Sequence, residues 1–437
     1  MFRARWYQYR LRTLLAIVAL LAIPLAWLAA QRAAVRAEQA AMAWVIERGG
    51  EFRTLEEPQP SAWYHFFDRW FRLRVYNLEI LGAEDGDLEK LASFRALSDL
   101  HLSGPGLTKI DTIGGLTNLL YLELLGTNVD DVSSLRELKR LQTFDVGGSP
   151  VRDLSVLTNF QDLRHVDISG TQAKDLSSLQ GLKKLEFLFL RHVPVDDISP
   201  LARLSNLEQL HATNAPIRTL PETVEWVRLK ELWLNSTQIR DISCLSTLAE
   251  LEELRINGTQ VRDLTPLANL PNLTNLNASF TPVRDLSPLA NLPKLAVLNA
   301  SWTEVTDLEG LSRGSVTKTL STLDLSSTKI EDLAPLSEFK ELEVLNLSLT
   351  PVSDLSPLVG LEKLLWLRLA RTPVTDLTPF AELVSLQELR LDLTPSMDLT
   401  PLLELKNLQD LQLGDSAVSD EQLRMLKEAL PECKISQ

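Results

Sequence analysis

Cysteine is nearly absent from this sequence: Cys244 and Cys433 are the only two in 437 residues, too few for a disulfide framework. The signatures of catalysis are missing as well. There is no glycine-rich phosphate cradle, no H-E-x-x-H, no paired C-x-x-C and no G-x-S-x-G. Without a converging acid, base or nucleophile the sequence shows no enzyme constellation, and no motif calls for a cofactor. Basic charge is scarce except at the start. Residues 1–36 hold Arg3, Arg5, Arg10, Arg12, Arg32 and Arg36 and no acid, leaving 38 basic side chains against 58 acidic ones in the rest. Nucleic-acid binding needs clustered positive charge, so an acidic body excludes that class of partner.

Long hydrophobic runs are scarce too, with one exception. Leu14–Ala30, LLAIVALLAIPLAWLAA, is uncharged over 17 residues, the short end of what crosses a bilayer as a helix. Four arginines precede it and two come after it. The positive-inside rule then puts a stub of residues 1–13 in the cytoplasm and the remainder outside. Tyr7, Tyr9 and Trp27 suit the two interfaces, and Pro24 is tolerated in such a helix. A cleaved signal peptide is the competing reading, but cutting after Ala29 or Ala30 would put Trp27 or Leu28 where a small residue is needed. The expectation is therefore an uncleaved transmembrane anchor at 14–30. Residues 31–74 are expected to form a juxtamembrane helix and N-terminal cap. An alanine-rich helical run is stopped by Gly49-Gly50, and a short strand and a proline-rich bend come next. The aromatic segment WYHFFDRWF at 63–71 is expected to cover the first coil of a stacked array beginning at Val75, with contact to a membrane surface as the alternative.

What is abundant is repetition. Rows beginning at Val75, Leu97, Leu119 and so on to Leu295 step by 22 residues; one step of 25 leads to Leu320, after which 22 returns through Leu408. Fifteen units fill 75–407, and the sixteenth, at 408–437, doubles as the C-terminal cap. Positions 1 and 4 are apolar in every unit, and position 6 matches them in the L-x-x-L-x-L pattern. That is a strand whose positions 4 and 6 point inward while 3, 5 and 7 point out. Position 9 is Thr or Ser in twelve units, position 13 is Asp in fourteen and position 16 is Pro in seven. These columns give structural roles to Thr259 and Thr281, whose hydroxyls can satisfy a corner group, and to Asp263 and Asp285, placed to cap a short helical turn on the convex side. Capping accounts for the aspartate column without calcium. Unit 207 departs from the pattern with Ala215 and Thr219, and its PETVEWVR suggests a longer helical convex side. Three extra residues near 312–319 suggest a protruding loop. Cys244 and Cys433 lie eight rows apart, about 38 Å at strand spacing, so they cannot pair within one chain.

Unit 273, LTNLNASFTPVRDLSPLANLPK, and unit 342, LEVLNLSLTPVSDLSPLVGLEK, carry a resemblance. The pattern resembles the leucine-rich repeat, above all the short 22-residue form of internalins. It is similar also to membrane-anchored repeat proteins of planctomycete bacteria that favour T-x-V-x-D-L-x-P-L. The resemblance spans 75–437 and implies an α/β solenoid, with a parallel sheet on the concave face and short helical turns on the convex one. Its implied function is a non-catalytic scaffold that binds a protein or polysaccharide. A structural envelope protein without a discrete ligand is the alternative. Position 9 is usually Asn in that family, and here it is Thr.

The outward columns nominate the binding residues. Phe187, Phe189, His192, His211 and Trp233 should make one aromatic patch, with Arg191 and Arg255 beside it; Phe280, Trp302, Trp366, Arg368 and Arg371 lie along a second band. Exposed aromatics with arginine are the usual anchors of a binding surface. Phe280 and Trp302, at position 8, have the equal option of tucking into corner packing. Three histidines, His165, His192 and His211, with Asp167 close by, occupy outward columns of consecutive units. Their positions spread over two strand spacings, which does not bring three ligands within bond length of a metal. Asn277, Asn299 and Asn346 fall in N-x-S sequons because the repeat repeats, and glycosylation is not implied.

Overall fold

A row of 22 residues cannot bury its own leucines, so stacking decides this fold. The computed structural model describes residues 2–54, 75–94, 96–395, 398–414, 416 and 418–436, except for the side chains of residues up to 21 and of residues 24 and 28. The aromatic segment 63–71 lies outside the described residues. Two units result, Met1–Leu163 and Arg164–Gln437.

The first unit opens with one continuous helix, α1 (Phe2–Glu47), in which the apolar run and the alanine-rich run are joined. Gly49, at φ +73°, ends it, a conformation that costs glycine nothing. Ala41 and Val45 are buried, the Glu38 carboxylate accepts from the Val75 N–H at 3.1 Å, and Arg48 bonds Asp87 at 2.9 Å. These contacts dock the end of α1 on the first row. Strand β1 (Glu51–Thr54) then pairs antiparallel with β2 (Val75–Leu81), so the outer edge of the first repeat strand is covered rather than left as a template for pairing. Parallel strands β3 (Asp99–Ser103), β4 (Tyr121–Leu125) and β5 (Thr143–Asp145) continue in 22-residue register. Among the described residues no helix is long and apolar enough to cross a membrane; most of the 14–30 segment has side chains outside that description. Trp27, Gln31, Glu38, Asn118, Leu120 and Arg140 line a cleft of about 700 Å³ between α1 and the first rows.

The second unit continues with β6 (His165–Asp167), β7 (Phe187–Phe189), β8 (Gln209–His211), β9 (Glu231–Trp233), β10 (Glu253–Arg255), β11 (Asn275–Asn277) and β12 (Val297–Asn299). After these come β13 (Thr322–Asp324), β14 (Val344–Asn346), β15 (Trp366–Arg368), β16 (Glu388–Arg390), β17 (Asp410–Gln412) and β18 (Lys434–Ser436). Each pairs in parallel with the next. Before β18, helix Asp420–Ala429 opens with a Ser419/Gln422 capping box and buries Leu426 over the last row.

Each coil lends its polar backbone to its neighbours. Glu186 N–H donates to Arg164 O, Leu190 N–H to His211 O and His192 N–H to Thr213 O, at 2.7–2.9 Å. One row shows the core: Leu185, Leu188, Leu190, Val195, Ile198 and Leu201 are fully buried. Burying each such side chain stabilises by roughly 1.5–3 kcal/mol.

Both polar columns make local hydrogen bonds to the backbone. Thr259 Oγ1 donates to Ile256 O at 2.6 Å, and Thr281 Oγ1 to Ala278 O at 2.5 Å, both buried. The same bond to the carbonyl three residues back recurs from Thr127 to Thr394. Asp263 Oδ1 accepts from Thr265 N–H and Asp285 Oδ1 from Ser287 N–H, each at 2.8 Å. The turns so served are 3-10 helical, and the residue at their formal N-cap is Leu264 or Leu286. The aspartate therefore serves the first turn from one residue further out than the N-cap.

Two expectations fail. Unit 207 forms no helix on its convex side. Trp226 turns fully inward, its indole N–H donating to Leu201 O at 2.8 Å, so one large side chain fills the space a helix would have covered. The insertion does not protrude either. It forms a short helix at Glu309–Ser312 and a turn at Ser315–Lys318, with Leu311 and Val316 buried. Gly314 sits so close to the preceding coil that a Cβ there would lie 2.0 Å from Ala290 O.

Candidate functional site

Strands β6 to β10 bring position 5 of consecutive rows side by side: Asp167, Phe189, His211, Trp233 and Arg255 are register partners in turn. The strand period points all five away from the core, and their rings form a ladder. Phe189 meets His165 at 5.1 Å and His211 at 4.9 Å, centroid to centroid, the latter edge-on. His211 lies flat on Trp233 at 3.7 Å and 2°. Arg255, on the next strand, places its guanidinium 3.9 Å from the Trp233 ring centroid. Arg191 spans the top, 5.5 Å from the Phe189 ring and 5.4 Å from that of Trp233. Cations over indole faces gain from the ring quadrupole.

The hydrogen bonds fix the state of His211. Arginine has only donors, so Arg191 Nη2, 3.1 Å away, must donate to His211 Nδ1. The proton is then on Nε2, which donates to Glu231 Oε2 at 3.3 Å. Burial, together with the charges of Arg191 and Arg255, pushes the imidazole pKa down to about 4. The ring is thus neutral near pH 7. The Trp233 indole N–H is buried and has no partner among the described residues, a cost of roughly 1–3 kcal/mol for such a group; it is tolerated where stacking holds the ring from both sides.

Sequence and structure differ here in membership. His211 is 4% exposed, because its neighbours on both strands cover it; it braces Trp233. His192 sits apart at the corner, exposed, with Asn214 Nδ2 3.4 Å from its Nε2. His165 joins the ladder in its place, touching Phe187 and Phe189. Among the described residues no group of three or more His, Cys, Asp or Glu is placed to hold a metal ion.

The second band divides. Phe280 and Trp302 stack on each other at 5.2 Å and 9°, and stay 57% and 54% exposed, which removes the corner-packing option. Trp366 stands three rows further on, exposed at the start of β15. Arg368 reaches Glu388 at 3.5 Å, and its Nε is buried without a partner among the described residues. Arg371 is exposed at the corner after β15.

Sequence reasoning missed the demand of position 8. It is left-handed in row after row: glycine in early rows, at Gly82, Gly104, Gly126, Gly148 and Gly170, and bulky residues later, including His192 at φ 60°, Phe280 at 55°, Trp302 at 55°, Leu349 at 61° and Leu393 at 54°. That conformation costs a non-glycine residue roughly 1–2 kcal/mol. The run of glycines in the first rows was the available signal.

The comparisons agree with this geometry. The family model described as Leucine Rich repeats (2 copies) matches residues 227–269. The chain is a leucine-rich-repeat solenoid. An internalin from Listeria monocytogenes shares 24% identity over 86% of this chain and 92% of its own, with a TM-score of 0.56. A Leptospira interrogans leucine-rich-repeat protein shares 21% over 88% and 100%, with a TM-score of 0.73. The ectodomain of the Arabidopsis receptor kinase HAESA, in complex with a peptide hormone ligand, shares 19% over 75% and 59%, with a TM-score of 0.59. No curated protein matches the chain in sequence. Internalin-like solenoids are thus among its structural neighbours.

Proposed function

We propose that this leucine-rich-repeat solenoid is a membrane-anchored, non-catalytic binding scaffold that takes a protein partner on the sheet face of Arg164–Gln437, outside the cytoplasm. The observation that carries the reading is the ladder from Phe189 through Trp233 to Arg255. Aromatic and arginine side chains on adjacent strands, already ordered by stacking, lose little further freedom on binding and resemble the anchors that dominate protein interfaces. Phe187, Phe189, Arg191, Trp233 and Arg255 would meet the partner. Trp366, Arg368 and Arg371 form a smaller second contact. The anchor reading rests on the uncharged Leu14–Ala30 run, on the arginine asymmetry across it, and on Ile23, Leu25 and Trp27, which are 71%, 63% and 58% exposed on α1 and unsuited to water.

Photo-crosslinking from position 187 in the full chain, in its native envelope, tests the binding reading. A discrete protein adduct, lost in Phe189→Ala/Trp233→Ala, supports it; no adduct, or one that ignores the double substitution, refutes it. Protease added to spheroplasts tests the anchor. It should digest the array and leave a short stub. A protected array, or a mature chain beginning near Gln31, refutes it.

A further inference from the structure

The ladder and the Phe280–Trp302 pair differ in charge, and that difference identifies a second ligand class. Rows 273 and 295 present Thr274, Asn275, Asn277, Ser279 and Phe280, then Ala296, Val297, Asn299, Ser301 and Trp302, without one charged side chain from position 2 to position 8. Arg255 bounds this island on one side and Asp324 on the other. Most rows elsewhere on this face carry ion pairs or single charges; these two carry amides, hydroxyls and rings.

The amides are fixed. Asn277 Oδ1 accepts from Ser279 N–H at 3.1 Å and Ser279 Oγ at 2.7 Å. Asn299 Oδ1 accepts from Ser301 N–H at 3.0 Å and Ser301 Oγ at 2.7 Å. With each Oδ1 already accepting two hydrogen bonds, what each carboxamide has left to offer is its Nδ2 donors, on strands about 4.8 Å apart. Beside them the Phe280–Trp302 stack offers two exposed aromatic rings on backbone that favours glycine. A row of oriented neutral donors next to an exposed aromatic surface matches a molecule with one apolar C–H face and a rim of hydroxyls. It offers nothing to a charged one.

We infer that rows 273 and 295 form a binding site for a neutral hexopyranose oligosaccharide. The sugar's C–H face lies on Phe280 and Trp302, and its hydroxyls accept from Asn277 and Asn299. The site shares no residue with the ladder and stands whether or not the ladder binds a protein.

The full-length chain in detergent is titrated calorimetrically with maltohexaose, cellohexaose and N-acetylchitohexaose, and with a polygalacturonate oligomer as charged control. At least one neutral hexaose should bind and the charged one should not. Phe280→Gly/Trp302→Gly is the decisive variant, since glycine suits φ near 55° and folding should survive, with the melting temperature unchanged or raised. Its sugar affinity should fall at least tenfold, whereas Phe189→Ala should leave that affinity unaltered. Asn277→Asp/Asn299→Asp, which keeps shape and adds charge, should weaken binding in the same sense. Three results overturn the inference: no neutral hexaose binds at millimolar concentration, the glycine variant binds as well as the parent, or the substitutions abolish a protein contact while no sugar binds.

Discussion

The imidazole of His211 lies parallel to the indole of Trp233, ring centroids 3.7 Å apart and planes 2° apart. This contact requires a neutral imidazole, because Arg191 and Arg255 flank it and His211 Nδ1 must accept from Arg191. The folded pKa, about 4, is below the unfolded value of about 6.5. Between the two, the unfolded chain binds a proton that the folded chain refuses, so stability falls as pH falls through that window. Chemical denaturation of the parent and of His211→Gln from pH 7.5 to 3.5 checks this: the parent should lose more stability than the variant between about pH 6.5 and 4. Parallel curves would mean that His211 does not titrate as the stack requires.

His101 in the first unit should respond with the opposite sign. Its Nδ1–H donates to Glu123 Oε2 at 2.7 Å, and that bond raises its pKa. Stabilisation from the pair is complete below the unfolded histidine pKa and is lost as pH rises through the folded one. Double-mutant cycles of His101→Gln with Glu123→Gln should show coupling at pH 5.5 that fades by pH 8.5. The pair is partly exposed, so screening keeps the effect small.

Position 8 offers a test free of steric clash. Gly126, at φ +61°, has nothing within 4 Å of where a Cβ would stand, so Gly126→Ala should cost about 1 kcal/mol from conformation alone. Leu349→Gly should do the reverse, raising stability by up to about 1 kcal/mol as strain at φ 61° is released. Thermal melts of the two variants should move in opposite directions.

For the aspartate column, Asp285→Ala should cost about 0.5–2 kcal/mol, the usual loss of a capping acceptor, because Ser287 N–H then loses its bond. Melting should not depend on calcium. A calcium-dependent rise, absent in the variant, would make the column a cation site.

Most of the array was legible because its signals are local and repeated. The 22-residue step set the strand register, so Leu188 in the core and Phe189 outside come from counting alone. Thr281 and Asp285 act within three residues of themselves, and local bonds show in local patterns. Contacts between rows were harder. The burial of His211 depends on the rings that happen to flank it, and that His165 rather than His192 joins the ladder depends on the left-handed turn at position 8. Trp226 shows the same limit: PETVEWVR has helical composition, yet one indole filling the interior decided its path.

Protein binding by the ladder is tested most directly by one comparison. The partner identified by crosslinking is titrated against the parent, Phe189→Ala/Trp233→Ala and Leu188→Ala/Leu232→Ala, with melting followed in parallel. The core pair should lose roughly 2–5 kcal/mol of stability per substitution. The ladder pair should lose far less stability while each truncation costs binding on the order of 2 kcal/mol, about thirtyfold in affinity. A ladder variant that folds and still binds with parental affinity contradicts the claim.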